Sequence, residues 1–149
     1  MAYFNTKLKK LLISNKEEDA RFIREKEAMK IKVGNPNNPI TSLSGGNQQK
    51  VILGRWLEAD AGIMLFDNPT QGIDVGAKFE IYHLILELAR QGKSVIVFSA
   101  EFPEIYKVAD RCFVLYKGEI QAELKRSELN EKDVMLYSTG AKKGVNANV

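Results

Sequence analysis

Two short stretches, in this order and at this spacing, constrain the chain more than any other feature. Leu43-Ser44-Gly45-Gly46-Asn47-Gln48-Gln49-Lys50 is followed about twenty residues later by Ile63-Met64-Leu65-Phe66-Asp67-Asn68-Pro69. The first is a small-residue turn that opens a helix. The second is a continuous apolar run, typical of a parallel strand buried on both faces, and it ends in a carboxylate. A helix N-terminus leaves backbone N–H groups unpaired and carries partial positive charge, so it is an anion site. Ser44 can cap the helix or hydrogen-bond an oxyanion. Gly45 and Gly46 have no β-carbon, so a phosphate can approach the backbone closely. Asn47 adds a side-chain amide. An ordinary capped helix start, with Ser-Gly-Gly serving only the turn, uses the same residues. No Gly-x-x-x-x-Gly-Lys-Ser/Thr stretch occurs in the sequence, so the chain has no phosphate-cradling loop of that kind.

Around these stretches the pattern alternates between helix and strand. Residues 5–32 are predicted helical, as two helices, with Leu8, Leu11, Leu12, Phe22, Ile23, Met29 and Ile31 at helical spacings. Gly34-Asn35-Pro36-Asn37-Asn38-Pro39 is a loop by composition. A helix from Asn47 to Ala59 carries Val51, Ile52, Leu53, Trp56 and Leu57 on one face and part of a second. Ile63 to Phe66 is a strand. Gly76 to Arg90 is an amphipathic helix with Ile81, Tyr82, Ile85, Leu88 and Ala89 on one stripe. Strands at Val95–Phe98 and Cys112–Tyr116 flank a short helix, Glu101–Ala109. Lys117-Gly118 turns into a fourth strand, Glu119–Leu124. Ser127–Tyr137 is a last helix, and the tail from Ser138 is expected to fray. This order predicts an α/β fold with a parallel sheet. It divides into a helical segment and loop (1–42), a core segment (43–124) and a C-terminal helix with tail (125–149).

Composition narrows the function. The 149 residues allow one domain, and 44% hydrophobic with 28% charged residues is ordinary for a globular protein. No apolar run approaches the ~18 residues of a membrane span, and no signal peptide is visible. Cys112 is the only cysteine and sits in an apolar run, so a buried reduced thiol is expected and no disulfide forms within one chain. The net charge of +3 is small, and its lysines alternate with acids, as in Lys16-Glu17-Glu18-Asp19. A nucleic-acid partner would need a concentrated basic face, so none is expected. The setting expected is the cytosol.

The 43–50 stretch, together with Gly72-Ile73-Asp74-Val75-Gly76-Ala77-Lys78, resembles the ATP-binding subunits of sugar-importing ABC transporters of the ribose, galactose and xylose type. The likeness is closest to the second of their two fused nucleotide-binding domains and runs from about Asp19 to Leu124. It implies a P-loop NTPase-like ABC ATPase core that is partial, lacking the Walker A strand, with a helical subdomain segment. In that family two domains face head to tail, and each ATP is held by one domain's P-loop and the other's signature turn. Ser44, Gly45, Gly46 and Asn47 would then meet the γ-phosphate of an ATP held by a partner's P-loop. Asp67 corresponds to the Walker B aspartate that holds Mg²⁺ through water; a strand-terminating turn residue is the plainer alternative. Asp74 corresponds to a contact across the dimer seam, and it also suits an N-cap. The implied partners are a P-loop-bearing nucleotide-binding domain and a membrane permease subunit, with the chain peripheral on the inner face of the plasma membrane.

Departures from the family pattern point away from hydrolysis. Asn68 stands where the family places the glutamate that polarises water, and an amide cannot accept a proton near neutral pH. Ala100 falls in the slot of the switch histidine and offers no donor. Most ABC proteins have Gln or Glu where Asn47 stands, within the stretch that carries the likeness, so Asn47 is not one of these departures. His83, the only histidine, lies on a helix without a paired carboxylate and reads as a helix-surface residue. Hydrolysis by this chain alone is therefore not expected. The family's P-loop strand lies between the strands at 94–99 and 112–116, so its absence would leave a gap. The third strand could close up, a partner or second copy could supply a strand by exchange, or the sequence could be a gene remnant. Beside the partial importer subunit stand two other readings: a non-hydrolytic regulatory or assembly module, and a chromosome-maintenance ATPase lobe of the SMC type. The last needs sustained heptads, which residues 5–32 lack.

Overall fold

A computed structural model describes residues 15–144; the expected helical positions Leu8, Leu11 and Leu12 lie outside the described residues. Its elements, in order, are α1 (Asn15–Ala28), a short 3-10 turn (Ile40–Ser42), α2 (Gly45–Leu57), β1 (Ile63–Asp67), α3 (Val75–Arg90), β2 (Ser94–Phe98), α4 (Phe102–Val108), β3 (Arg111–Tyr116), β4 (Glu119–Lys125) and α5 (Glu131–Ser138). They group into two compact units. One is the chain up to Leu65 with Pro69–Ile96; the other is Phe66–Asn68 with the chain from Val97 onward. Strands β1 and β2 each contribute to both units.

In the first unit, α3 buries Ala77, Ile81, Tyr82, Ile85 and Leu88. Four of these were on the predicted stripe; Ala89 is exposed instead, and Ala77 takes its place at the other end. Asp74 explains where α3 starts: its Oδ1 accepts a hydrogen bond from the Ala77 N–H at 3.0 Å. Helix α2 packs against α3 and buries Leu53 and Gly54, while Ile52 and Trp56 of the predicted apolar face stay exposed. Lys50 is buried in α2 with an ion pair to Glu80 of α3, and its Nζ donates to the Lys30 carbonyl at 3.3 Å. Met29 and Ile31 are buried, but both lie past the end of α1 rather than within the predicted helix, and Phe22 and Ile23 of α1 are exposed.

Strands β1 and β2 pair with each other. The Ser94 N–H bonds the Gly62 carbonyl at one end, and the Asn68 N–H bonds the Phe98 carbonyl at the other, each at 2.9 Å. Start meets start and end meets end, so the pair is parallel. The expected third parallel strand does not join it. Among the described residues β3 pairs only with β4, antiparallel, with a register shift between Val114 and Leu115. Lys117 (φ 50°) and Gly118 (φ 82°) both take positive φ, the geometry of a two-residue turn whose twist matches a hairpin. The closure of the third strand onto the second is thus not adopted.

The second unit has its own small core of Cys112, Val114, Leu129 and Val134, with Phe102, Ile105, Leu124 and Tyr137 packed on it. Burial raises the Cys112 thiol pKa. Helix α5 begins four residues later than predicted because Asn130 caps it, its Oδ1 accepting from the Asp133 N–H at 2.9 Å. Lys142 returns a backbone bond to the Leu136 carbonyl and a side-chain bond to Asp133, both at 3.0 Å.

Candidate functional site: an open helix turn and a strand-end carboxylate

Helix α2 begins two residues earlier than the sequence pattern suggested, at Gly45, with Ser44 in extended backbone as its N-cap residue (φ −62°, ψ 154°). Ser44 makes no side-chain cap bond to the helix. Its Oγ instead accepts from Asn47 Nδ2 at 2.9 Å. The other end of the same amide, Asn47 Oδ1, accepts from the Lys32 N–H at 2.9 Å. A backbone N–H can only donate, so that bond fixes which way the Asn47 amide faces. Gln48 closes the turn from behind, with Nε2 donating to the Leu43 carbonyl at 2.8 Å.

The two glycines differ in their surroundings. Gly45 is exposed, and a β-carbon there would sit 3.7 Å from the Gly72 carbonyl, an ordinary contact. Gly46 is buried, and a β-carbon there would lie 2.6 Å from Ala77 Cβ on α3. The missing side chain of Gly46 therefore admits α3. The turn's open surface comes from Ser44 and Gly45, with Asn47 half-buried beside them. Asp74, exposed at the start of α3, lies near the same turn: its Oδ2 would be 3.6 Å from a Gly46 β-carbon. Two cavities in this unit, of about 310 and 210 Å³, are lined by other residues, Lys50, Glu80 and His83 around one and Glu25, Arg55 and Glu58 around the other. Neither includes the turn.

Asp67 and Asn68 belong to the second unit. Asp67 ends β1 with its carboxylate exposed, and its Oδ1 accepts from Asn68 Nδ2 at 2.9 Å. Asn68 has φ 44°, a left-handed backbone that asparagine tolerates better than most residues. Nothing in the linear sequence announced that conformation. Ala100 is exposed, just past β2, between Ser99 and Glu101; the Glu101 N–H bonds Ser99 Oγ at 3.0 Å. Among the described residues no group of three or more His, Cys, Asp or Glu side chains is placed to hold a metal ion. Asp67 presents one exposed carboxylate, with Oδ1 engaged by Asn68; Mg²⁺ is in general bound through one or two carboxylates with waters and phosphates. The structure thus ties Ser44 to Asn47, sets Gly46 and Asp74 side by side, and joins Asp67 to Asn68. His83 is exposed on α3, as its sequence setting suggested. The Lys32 contact to Asn47 and the buried Lys50 are what the sequence did not reveal.

The fold is that of part of an ABC-type ATP-binding cassette. The solved structure of a dimeric ATP-binding cassette in a post-hydrolysis state with ADP and Pi superposes with a TM-score of 0.69 at 26% identity, over 85% of this chain and 56% of that one. A second ATP-binding cassette of an ABC transporter, at 23% identity, shares the fold with a TM-score of 0.71 over 87% of this chain and 53% of that one. No protein-family model matches the chain.

Sequence relatives sharpen the placement. The chain is 43% identical over 127 residues to a ribose import ATP-binding protein of Geobacillus kaustophilus, which covers 85% of this chain and 26% of the relative. It is 52% identical over 104 residues to a galactose/methyl galactoside import ATP-binding protein of Treponema pallidum, 70% of this chain and 21% of that one. An arabinose import ATP-binding protein of Vibrio parahaemolyticus is 45% identical over 124 residues, 83% of this chain and 24% of that one. The chain belongs to the family of ABC-transporter ATP-binding proteins of sugar import, and it spans about a quarter of the length of these relatives. Among the described residues no helix is long and apolar enough to cross a membrane.

Proposed function

We propose that the chain supplies the signature half of a shared ATP site in a carbohydrate-importing ABC transporter. The observation that carries this reading is the exposed turn at Ser44 and Gly45, at the N-terminus of a 13-residue helix with Asn47 held by two hydrogen bonds. Such a turn offers unpaired amides and a hydroxyl to the γ-phosphate of an ATP gripped by a partner's P-loop. Asp67 would hold Mg²⁺ through water. Mg²⁺ supplies charge neutralisation on the phosphates when bound. Asp74 would face the partner domain across the seam while it also caps α3. Helix α1 would dock on a membrane permease, and the chain would then sit peripherally on the cytoplasmic side.

The same geometry favours a site completed without turnover. Asn68 commits an amide hydrogen to Asp67 and has no basic atom to take a proton from water. The Ala100 side chain has no donor to offer a phosphate. The chain then acts as a non-hydrolytic partner that completes a site for a competent ATPase.

The test uses the full chain and a complete sugar-import ATPase that carries a P-loop. A non-hydrolysable ATP analogue should shift the amide signals of residues 44–47 only when that partner is present, and Ser44→Arg should abolish the shift. The chain alone should show no ATPase activity above background. An unmoved turn in the ternary mixture would overturn the half-site; turnover by the chain alone would overturn the non-hydrolytic reading.

A further inference from the structure

We infer that helix α1 is latched onto α2 by one proton shared between Glu25 and Glu58, and that α1 lifts from α2 when this proton leaves. The inference goes beyond the half-site at Ser44 and does not rest on it. It starts from a helix that turns its charges inward. The apolar Phe22 and Ile23 of α1 are exposed, at 37% and 53%, and none of residues 16–28 is buried. The half-buried positions are Glu18, Arg21 and Glu25, spaced as neighbours on a single helix face, with Lys26 beside them. Charged groups, not apolar ones, thus hold the body of α1 against its neighbour. The apolar anchors, Met29 and Ile31, come after its last turn.

Gly54 of α2 lets Glu25 come close. A β-carbon on Gly54 would lie 3.6 Å from Glu25 Oε2 and 3.8 Å from Met29 Cγ. The cleft between the two helices is the cavity of about 210 Å³, with Phe22, Ile31 and Val51 in its wall and both Glu25 and Glu58 lining it. The two side chains hydrogen-bond each other there. A carboxylate only accepts, so this bond exists only while one of the pair carries a proton. The cations nearby do not replace it. Arg21 is engaged by Glu17 and Glu18. Lys26 of α1 and Arg55 of α2 line the same cleft, beside Glu18. Burial first, and then Glu58, still hold the Glu25 carboxyl at about 7 against the opposing charge of Arg24.

Once both carboxyls are ionised, the bond gives way to repulsion in a largely apolar cleft. The segment after α1 is the pivot. Lys30 takes a left-handed φ of 49°, and its carbonyl accepts from Lys50 Nζ at 3.3 Å. The Lys32 N–H bonds Asn47 Oδ1 at 2.9 Å. These ties, with buried Met29 and Ile31, keep the segment in place while the helix before it moves. A 14-residue helix released from its neighbour is marginal in water, so a lifted α1 also loses its helical hydrogen bonds.

The experiment measures amide hydrogen exchange of the full chain at about pH 5 and about pH 8, corrected for the intrinsic pH dependence of exchange, with the α3 amides as internal reference. Protection of the α1 amides should fall at least about tenfold relative to α3 between the two conditions. Glu25→Gln and, separately, Glu58→Gln should keep α1 protected at both, because an amide donates to the remaining carboxylate with no proton to lose. Should one variant fail to fold, the other poses the same question. Equal protection of α1 in the parent at both conditions would overturn the latch, as would the same fall in the Gln variants. Joint loss of α1 and α3 protection would overturn it in favour of global unfolding.

Discussion

Gly46 and Ala77 meet where α2 crosses α3, so closely that a β-carbon on Gly46 would lie 2.6 Å from Ala77 Cβ. A β-carbon on Gly45, one residue earlier, would lie 3.7 Å from its nearest neighbour, the Gly72 carbonyl. Adjacent glycines in one motif thus answer to different constraints. Gly46→Ala should destabilise the chain by about 1–3 kcal/mol, the usual cost of overpacking, whereas Gly45→Ala should change stability by less than about 0.5 kcal/mol. Urea denaturation of the two variants checks this, and equal losses would refute it.

Asp74 caps α3 with a hydrogen bond to the Ala77 N–H, while Ser44 makes no such bond to α2. Asp74→Ala should therefore cost about 0.5–2 kcal/mol, with Asp74→Asn retaining most of the stability. Ser44→Ala should cost clearly less than Asp74→Ala. Thermal melts of the three variants give the order, and a larger loss at Ser44 would contradict it.

Asn68 sits at φ 44° with its amide on Asp67. Installing the family's carboxylate by Asn68→Glu should cost about 1–2 kcal/mol, because the left-handed backbone resists the new side chain. Like charge beside Asp67 adds to that loss. Asn68→Gly relieves the backbone and should sit within about 1 kcal/mol of the parent. Chemical denaturation at low and at high ionic strength separates the two effects, since salt screens the repulsion but leaves the backbone cost.

Glu25 of α1 carries a pKa raised from the ordinary 4.5 to about 7 by burial first, then by a hydrogen bond and charge repulsion from Glu58, with Arg24 opposing. A carboxyl that binds its proton more tightly folded than unfolded favours the folded state at low pH. Its contribution is complete below about pH 4.5 and is lost as pH rises through about 7. Stability should fall across that window, and Glu25→Gln should flatten the slope. A denaturation series from pH 4 to pH 8 reads it directly; an identical slope in the variant would remove Glu25 as the source.

Cys112 is buried in the second unit with its thiol pKa raised. Alkylation should be slow in the native chain and fast in denaturant, since both burial and scarcity of thiolate suppress reaction. Rapid native labelling would show that the core around Val114 and Leu129 opens readily.

Much of this was legible in the sequence. The runs at Ile63 and Val95 are strands, Asp74 opens its helix, and Lys117-Gly118 is a hairpin turn, because local chemistry alone decides these features. What stayed hidden depends on neighbours distant in the chain. Glycine looks the same whether it admits a phosphate or, as at Gly46, a facing helix. The burial of Lys50 depends on Glu80 across a helix pair, and a lone lysine in an amphipathic pattern gives no hint of it. The separation of β3 from β2 has the same origin: an apolar run shows that a strand wants neighbours, not which ones it finds.

The amide of Asn47 gives the turn a polarity of its own. By handing a hydrogen to the Ser44 oxygen, it occupies one of that atom's lone pairs and leaves the hydroxyl proton uncommitted. A serine so engaged is tilted toward giving rather than receiving. Beside the unpaired amides of the helix start, it would greet an electron-rich guest and turn a metal ion or an ammonium group away.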